Sequence, residues 1–157
     1  LISKHADVMD NFPEATVLPR EKDDTDALYA ARTALAEGFG KIYLAGGLGG
    51  RLDHTFANIQ TLEFIEENGG QGRIVSDDNI VMLQSAGTVS YEKKDGWYFS
   101  VFSITETSVV SLKGTEYTLD SYELKRSFPL GVSNEITAEN AEVTVHSGKL
   151  LVMYSKK

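Results

Sequence analysis

Apolar positions recur along this chain in two rhythms, and the rhythm changes near residue 87. Residues 25–37 carry Leu28, Ala31 and Leu35 at helical spacing among small alanines, which predicts a helix. Asp23, Asp24 and Thr25 offer N-cap chemistry and Gly38 a C-terminal stop. Residues 41–45, K-I-Y-L-A, form a short apolar run bounded by glycines, the mark of a buried strand. A second helix is predicted over residues 53–68, with Phe56, Ile59, Leu62, Phe64 and Ile65 over one broad face and Gly69-Gly70 ending it. Short strands are predicted at 15–18, closed by Pro19, and at 73–75 and 80–83 around a Ser76-Asp77-Asp78-Asn79 turn.

After Gly87 predicted helices vanish. Strands at 88–91, 97–104, 109–112, 123–126, 141–146 and 150–154 alternate with turns. Lys94-Asp95-Gly96 and Ser147-Gly148-Lys149 read as hairpin turns. Val143, Val145, Leu151 and Met153 alternate in the half-buried manner of antiparallel strands. The pattern predicts an α/β part over residues 1–86 and an all-β part over residues 87–157.

Charge sharpens this division. The first part holds 14 acidic and 7 basic residues, the second 9 and 8. A net charge of −8 repels nucleic-acid phosphates and anionic lipid, so neither is an expected partner. Carboxylates concentrated in the first part point to a divalent cation, which lets an acidic site accept phosphate. The chain has no cysteine, which excludes disulfides, thiolate zinc and cysteine nucleophiles. That absence fits a reducing compartment, and the expected location is the cytoplasm. No apolar run approaches the roughly 20 residues of a membrane span.

Three constellations carry candidate chemistry. Lys22-Asp23-Asp24-Thr25-Asp26 places three carboxylates at a helix start, where they hold Mg²⁺ or simply form a solvated acidic first turn. G-G-L-G-G-R-L-D-H, residues 46–54, combines a strand end, a glycine-rich loop and a helix start. Those are the parts of an anion cradle, in which glycines admit close backbone approach and Arg51 forks onto phosphate oxygens. The loop is neither a Walker A sequence nor G-x-G-x-x-G. Asp53 either caps the helix or binds metal, and Asn58 is equally a ligand contact or a surface polar residue. His54 serves the site or the helix, while His5 and His146 are read as structural. Histidine spacing argues against a zinc site, and no G-x-S-x-G elbow is present. The third constellation, Gly131-Val132-Ser133-Asn134-Glu135, offers donors and acceptors to an amino-heterocycle or forms an ordinary turn.

Taken together these segments resemble the thiamine pyrophosphokinase family. The resemblance rests on Asp24-Thr25-Asp26, on Gly49-Gly50-Arg51-Leu52-Asp53-His54 and on Ser133-Asn134-Glu135, in that order. The family's upstream G-D-x-D-S aspartate pair is absent, and the chain begins at Leu1, so the expected reading is a chain lacking N-terminal strands. The resemblance implies a parallel-sheet α/β nucleotide-binding domain, N-terminally incomplete, followed by a small antiparallel β-sandwich that binds thiamine. It implies transfer of the pyrophosphoryl group of ATP to the thiamine hydroxyl, giving thiamine diphosphate and AMP. Asp26, Arg51 and Asp53 would be catalytic, and Asp23, Asp26 and Asp53 would hold Mg²⁺. Gly47, Gly49, Gly50, Arg51, His54 and Asn58 would contact ATP; Asp26, Ser133 and Asn134 would contact thiamine. The implied assembly is a homodimer with sites at the subunit interface. The competing readings are a metal-dependent phosphohydrolase, releasing phosphate without thiamine, and a non-catalytic nucleotide- or thiamine-binding module.

Overall fold

In a computed structural model that describes residues 24–157, helix α1 spans Asp26–Ala36. Asp23 and the strand expected at 15–18 lie outside the described residues. Thr25 is the N-cap, its Oγ1 accepting from Leu28 N at 3.2 Å. The helix ends with two paired bonds, Gly38 N to Leu35 O and Phe39 N to Ala34 O, both 3.0 Å. These satisfy carbonyls that the helix itself leaves open. Strand β1, Lys41–Ala45, and helix α2, Leu52–Glu67, follow. Ala31, Ile42 and Ile65 form the buried centre of this unit, with Ala34, Leu35 and Leu44 packed around them.

Two expectations about α2 need correction. Its N-cap is Arg51, which makes no side-chain cap bond, so Asp53 sits inside the first turn instead of capping it. Phe56, expected on the buried face, is 63% exposed. At about 100° per residue it stands about 180° around the helix from the fully buried Ile65, so the broad apolar stripe is wider than the face the unit can cover.

The chain divides after Gly72 into two compact units. In the second, all pairings are antiparallel. Arg73–Val75, the last residues of β2 (Gln71–Val75), pair with β3 (Asn79–Gln84). β3 pairs with β9 (Leu150–Lys156), and β9 with β5 (Trp97–Ser103). The second sheet has the order β4-β8-β6-β7, from Gly87–Glu92, Asn140–Ser147, Thr107–Lys113 and Leu119–Lys125. Phe99, Val101, Leu150 and Val152 from one sheet join Val110, Leu112, Val143 and Val145 from the other in a single core. Burying such side chains is the main stabilising term, at roughly 2 kcal/mol each. The parallel pairing expected of the first part is not among the described registers.

The turns at Lys94-Asp95-Gly96 and Ser147-Gly148-Lys149 form where expected, but neither closes a hairpin. Each carries the chain from one sheet to the other, because β4 and β8 pair within one sheet and β5 and β9 within the other. Strand alternation reports which side chains face inward, not which strand is the partner. β7 begins at Leu119, four residues before the expected start at 123. Its early residues pass through an irregular register opposite Val110 and Leu112, with Ser121 at φ +46°, and this interrupts the alternation.

Candidate functional site

The start of α1, the end of β1 and the first half of α2 enclose an open cleft of about 570 Å³, within the range typical of small-ligand sites. Asp24, just ahead of α1, and Asp26 in its first turn line it, with Gly46 and Gly47 from the loop after β1 and His54 and Asn58 from α2. Asp26, Gly47, His54 and Asn58 were expected at a site and meet here. Gly49, Gly50, Arg51 and Asp53 belong to the adjoining loop and helix start and do not line the cleft. Asp24 from the acidic run and Gly46 from the glycine loop line it as well, and so does Tyr43. Asp24 was visible in the acidic run. Nothing marked Tyr43, which reads as one more apolar strand residue.

The loop owes its shape to glycine. Gly46, Gly49 and Gly50 take φ of +72°, +88° and +70°, where a side chain is strained. No atom lies within 4 Å of a Cβ built on any of the three, so the loop surface is open. Asn58 Nδ2 donates to Gly47 O at 2.8 Å and ties the loop to α2. Asn58 therefore has a third role beside the two its sequence left open.

Charge around the cleft is locally matched. Arg32 donates to Asp24 as an ion pair. Arg51 forks onto Asp53, Nε to Oδ1 at 3.1 Å and Nη2 to Oδ2 at 2.5 Å. His54 N also donates to Asp53 Oδ1, at 2.9 Å. The hydrogen bond from Arg51 holds the Asp53 carboxyl below its ordinary range, and the same bond raises Arg51. Among the described residues no group of three or more His, Asp or Glu is placed to hold a metal ion. The donor chemistry nevertheless fits Mg²⁺, which takes one or two carboxylates together with phosphate oxygens and water. Asp24 and Asp26 supply carboxylates at one wall of the cleft.

The third constellation lies in the second unit. Asn134 is only 5% exposed and its carboxamide is engaged three times. Oδ1 accepts from Tyr117 N at 3.0 Å and Glu135 N at 2.9 Å, while Nδ2 donates to Tyr117 O at 2.8 Å. Its backbone carbonyl accepts from Phe99 N at 2.7 Å. Ser133 is exposed, in the left-handed region at φ +57°, and its N–H donates to Ser100 Oγ at 3.0 Å. Lys157 Nζ pairs with Glu135 at 2.7 Å beside this loop. The segment thus presents Ser133 outward on a support built by Asn134.

The comparisons with known proteins follow the same division. Residues 6–71 match the thiamin pyrophosphokinase catalytic domain, and residues 88–152 the thiamin pyrophosphokinase vitamin B1 binding domain. The chain is 28% identical over 145 residues to thiamine pyrophosphokinase of Bacillus subtilis, covering 91% of this chain and 68% of that protein. The crystal structure of the Bacillus subtilis enzyme aligns at TM-score 0.88 and 26% identity, covering 97% of this chain and 72% of that one. That of Geobacillus thermodenitrificans thiamin pyrophosphokinase aligns at 0.84 and 28% identity, over 97% and 71%. A glycine-loop unit and a β-sandwich, each matching one domain of the same enzyme family, define a transferase in class. The chain belongs to the thiamine pyrophosphokinase family. Its activity is that of a thiamine diphosphokinase, and the phosphohydrolase and non-catalytic readings give way to it. Among the described residues no helix is long and apolar enough to cross a membrane.

Proposed function

We propose that the cleft of the first unit takes ATP and that the loop carrying Ser133 takes the aminopyrimidine of thiamine. The observation that carries this reading is the glycine loop, held by Asn58 beside the carboxylates at the start of α1. In the transfer, the thiamine hydroxyl oxygen bonds to the β-phosphorus of ATP as the bond from that phosphorus to the bridging oxygen of the α-phosphate breaks. AMP leaves with that oxygen, and the hydroxyl proton passes to a carboxylate, assigned here to Asp26. Such reactions need alignment and charge neutralisation more than covalent help.

Gly47, Gly49 and Gly50 would cradle the phosphates with His54 at the cleft wall, and Arg51 would neutralise charge on the transferred group. Arg51 already forks onto a carboxylate, an anion with two oxygens in a plane, and a phosphate edge fits the same fork. Mg²⁺, held by Asp26 and Asp53 together with Asp23, would supply further neutralisation of the phosphate oxygens. Ser133 would hydrogen-bond the aminopyrimidine, with Asn134 fixing the loop that presents it. We read the α/β part as a parallel-sheet nucleotide-binding domain that ends at Gly72, not at residue 86, because β3 pairs antiparallel with β9, and we read the β part after it as the thiamine-binding domain. The working assembly is proposed as a cytoplasmic homodimer, the α/β part of one subunit facing the β part of its partner.

Phosphorus NMR of the chain mixed with Mg-ATP, with and without thiamine, tests the assignment. AMP and thiamine diphosphate should form only when thiamine is present. Phosphate or ADP released without thiamine would overturn it.

A further inference from the structure

One side-chain contact fixes the orientation of one backbone donor in the glycine loop. Asn58 Nδ2 donates to Gly47 O at 2.8 Å. The carbonyl and N–H of a trans peptide share a plane and point in opposite directions. With Gly47 O drawn toward Asn58, the N–H of Leu48 is turned to the other side of that peptide, away from the Asn58 side chain. Among the described residues no protein hydrogen bond uses the N–H of Leu48, Gly49 or Gly50. Gly49 and Gly50 have open space where a side chain would stand, at φ of +88° and +70°. Successive backbone N–H groups in turn conformations form anion-binding concavities.

We infer that Asn58 is a positioning residue for the transfer reaction. It orients the Gly47–Leu48 peptide so that Leu48 N–H joins the amides of Gly49 and Gly50 in holding the nucleotide's phosphates at the loop adjoining the cleft, and it acts on them through the backbone. The inference rests on the reading of this loop as the phosphate cradle. It also explains why an amide suits the position. Removing the donor frees the peptide to turn over, and a turned peptide presents a carbonyl oxygen to phosphate where an N–H is required.

The test is an amide NMR titration of the isotope-labelled full chain with inorganic pyrophosphate, repeated for Asn58→Ala and Asn58→Gln. In the parent, the amides of Leu48, Gly49 and Gly50 should shift together. Asn58→Ala should weaken pyrophosphate binding about tenfold and lose the Leu48 shift, with thiamine affinity unchanged. Its KM for ATP should rise by more than kcat falls. Asn58→Gln, which keeps an amide donor on a longer arm, should restore part of the affinity. If no loop amide moves in the parent, the cradle reading and this inference fail together. If Gly49 and Gly50 move while Leu48 does not, or Asn58→Ala binds pyrophosphate like the parent, the cradle stands and the role of Asn58 is overturned.

Discussion

Ser133 and Asn134 are neighbours with opposite fates, and the difference is one of satisfied bonds. Asn134 uses both polar atoms of its carboxamide on backbone groups, so Asn134→Ala leaves the N–H groups of Tyr117 and Glu135 without a partner and the Tyr117 carbonyl with Thr115 Oγ1 alone. The cost should be about 3 kcal/mol, read as a lower urea midpoint for the second unit. Ser133→Ala should leave that midpoint unchanged and raise the KM for thiamine. Arg51→Lys should lower kcat at least about tenfold in steady-state kinetics, because an ammonium cannot reproduce a planar fork. Asp53, held low by Arg51, keeps its pair through neutral pH and loses it only as pH falls through the lowered value. A carboxyl NMR titration should find its midpoint below 3.8, and Arg51→Met should return it to the ordinary range. The Ser-Asn pair and the Arg-x-Asp spacing were legible in the sequence. Which member faces outward was not, because that depends on what the backbone of Tyr117, seventeen positions away, requires.

The helix ends are the most local features of the elements. Thr25 caps and Gly38 stops α1 as their chemistry demands, and both could be read directly from the sequence. The start of β7 could not. There the strand leaves regular register, and Ser111 Oγ accepts from Ser121 N at 2.9 Å while also bonding His146 Nε2 at 2.8 Å. A side chain from β6 thus replaces a missing ladder bond, and His146 has the structural role expected of it. Ser111→Ala leaves the Ser121 N–H unpaired and should destabilise the sandwich by about 1–2 kcal/mol in urea unfolding. Ser111→Thr keeps the hydroxyl and should lose less.

At the scale of the whole molecule, the sandwich gathers Tyr91, Phe99 and Tyr154 with ring centroids 5.1 to 6.5 Å apart. Tyr154 donates to Glu92 O at 2.7 Å and Tyr91 to Gln84 Oε1 at 3.0 Å. Burial raises both phenols, Tyr154 from 10.0 to about 12 and Tyr91 further. Their contribution is fully present below the unfolded value and is lost as pH rises through the folded one. Unfolding midpoints should therefore fall from about pH 10 upward, and Tyr154→Phe should flatten that decline. Shared sites make a second prediction. At thiamine well below the raised KM of Ser133→Ala, where neither variant alone turns over appreciably, mixing Arg51→Met and Ser133→Ala subunits should restore about a quarter of parental activity if each site draws on two subunits. No recovery after subunit exchange would place each site within one chain.

By itself the sequence determined the caps of α1, the glycine loop, the facing of most strands and the motifs that mark the family. These depend on local conformational preference and on the two periodicities, which a single chain carries in its order of residues. The tertiary structure decided which sheet each strand joined, which part of the apolar stripe on α2 was covered, and how Asn58 and Asn134 were used. Those outcomes depend on partners distant in sequence. A turn does not specify whether it closes a hairpin or crosses between sheets, and an amide side chain does not specify which backbone will need it.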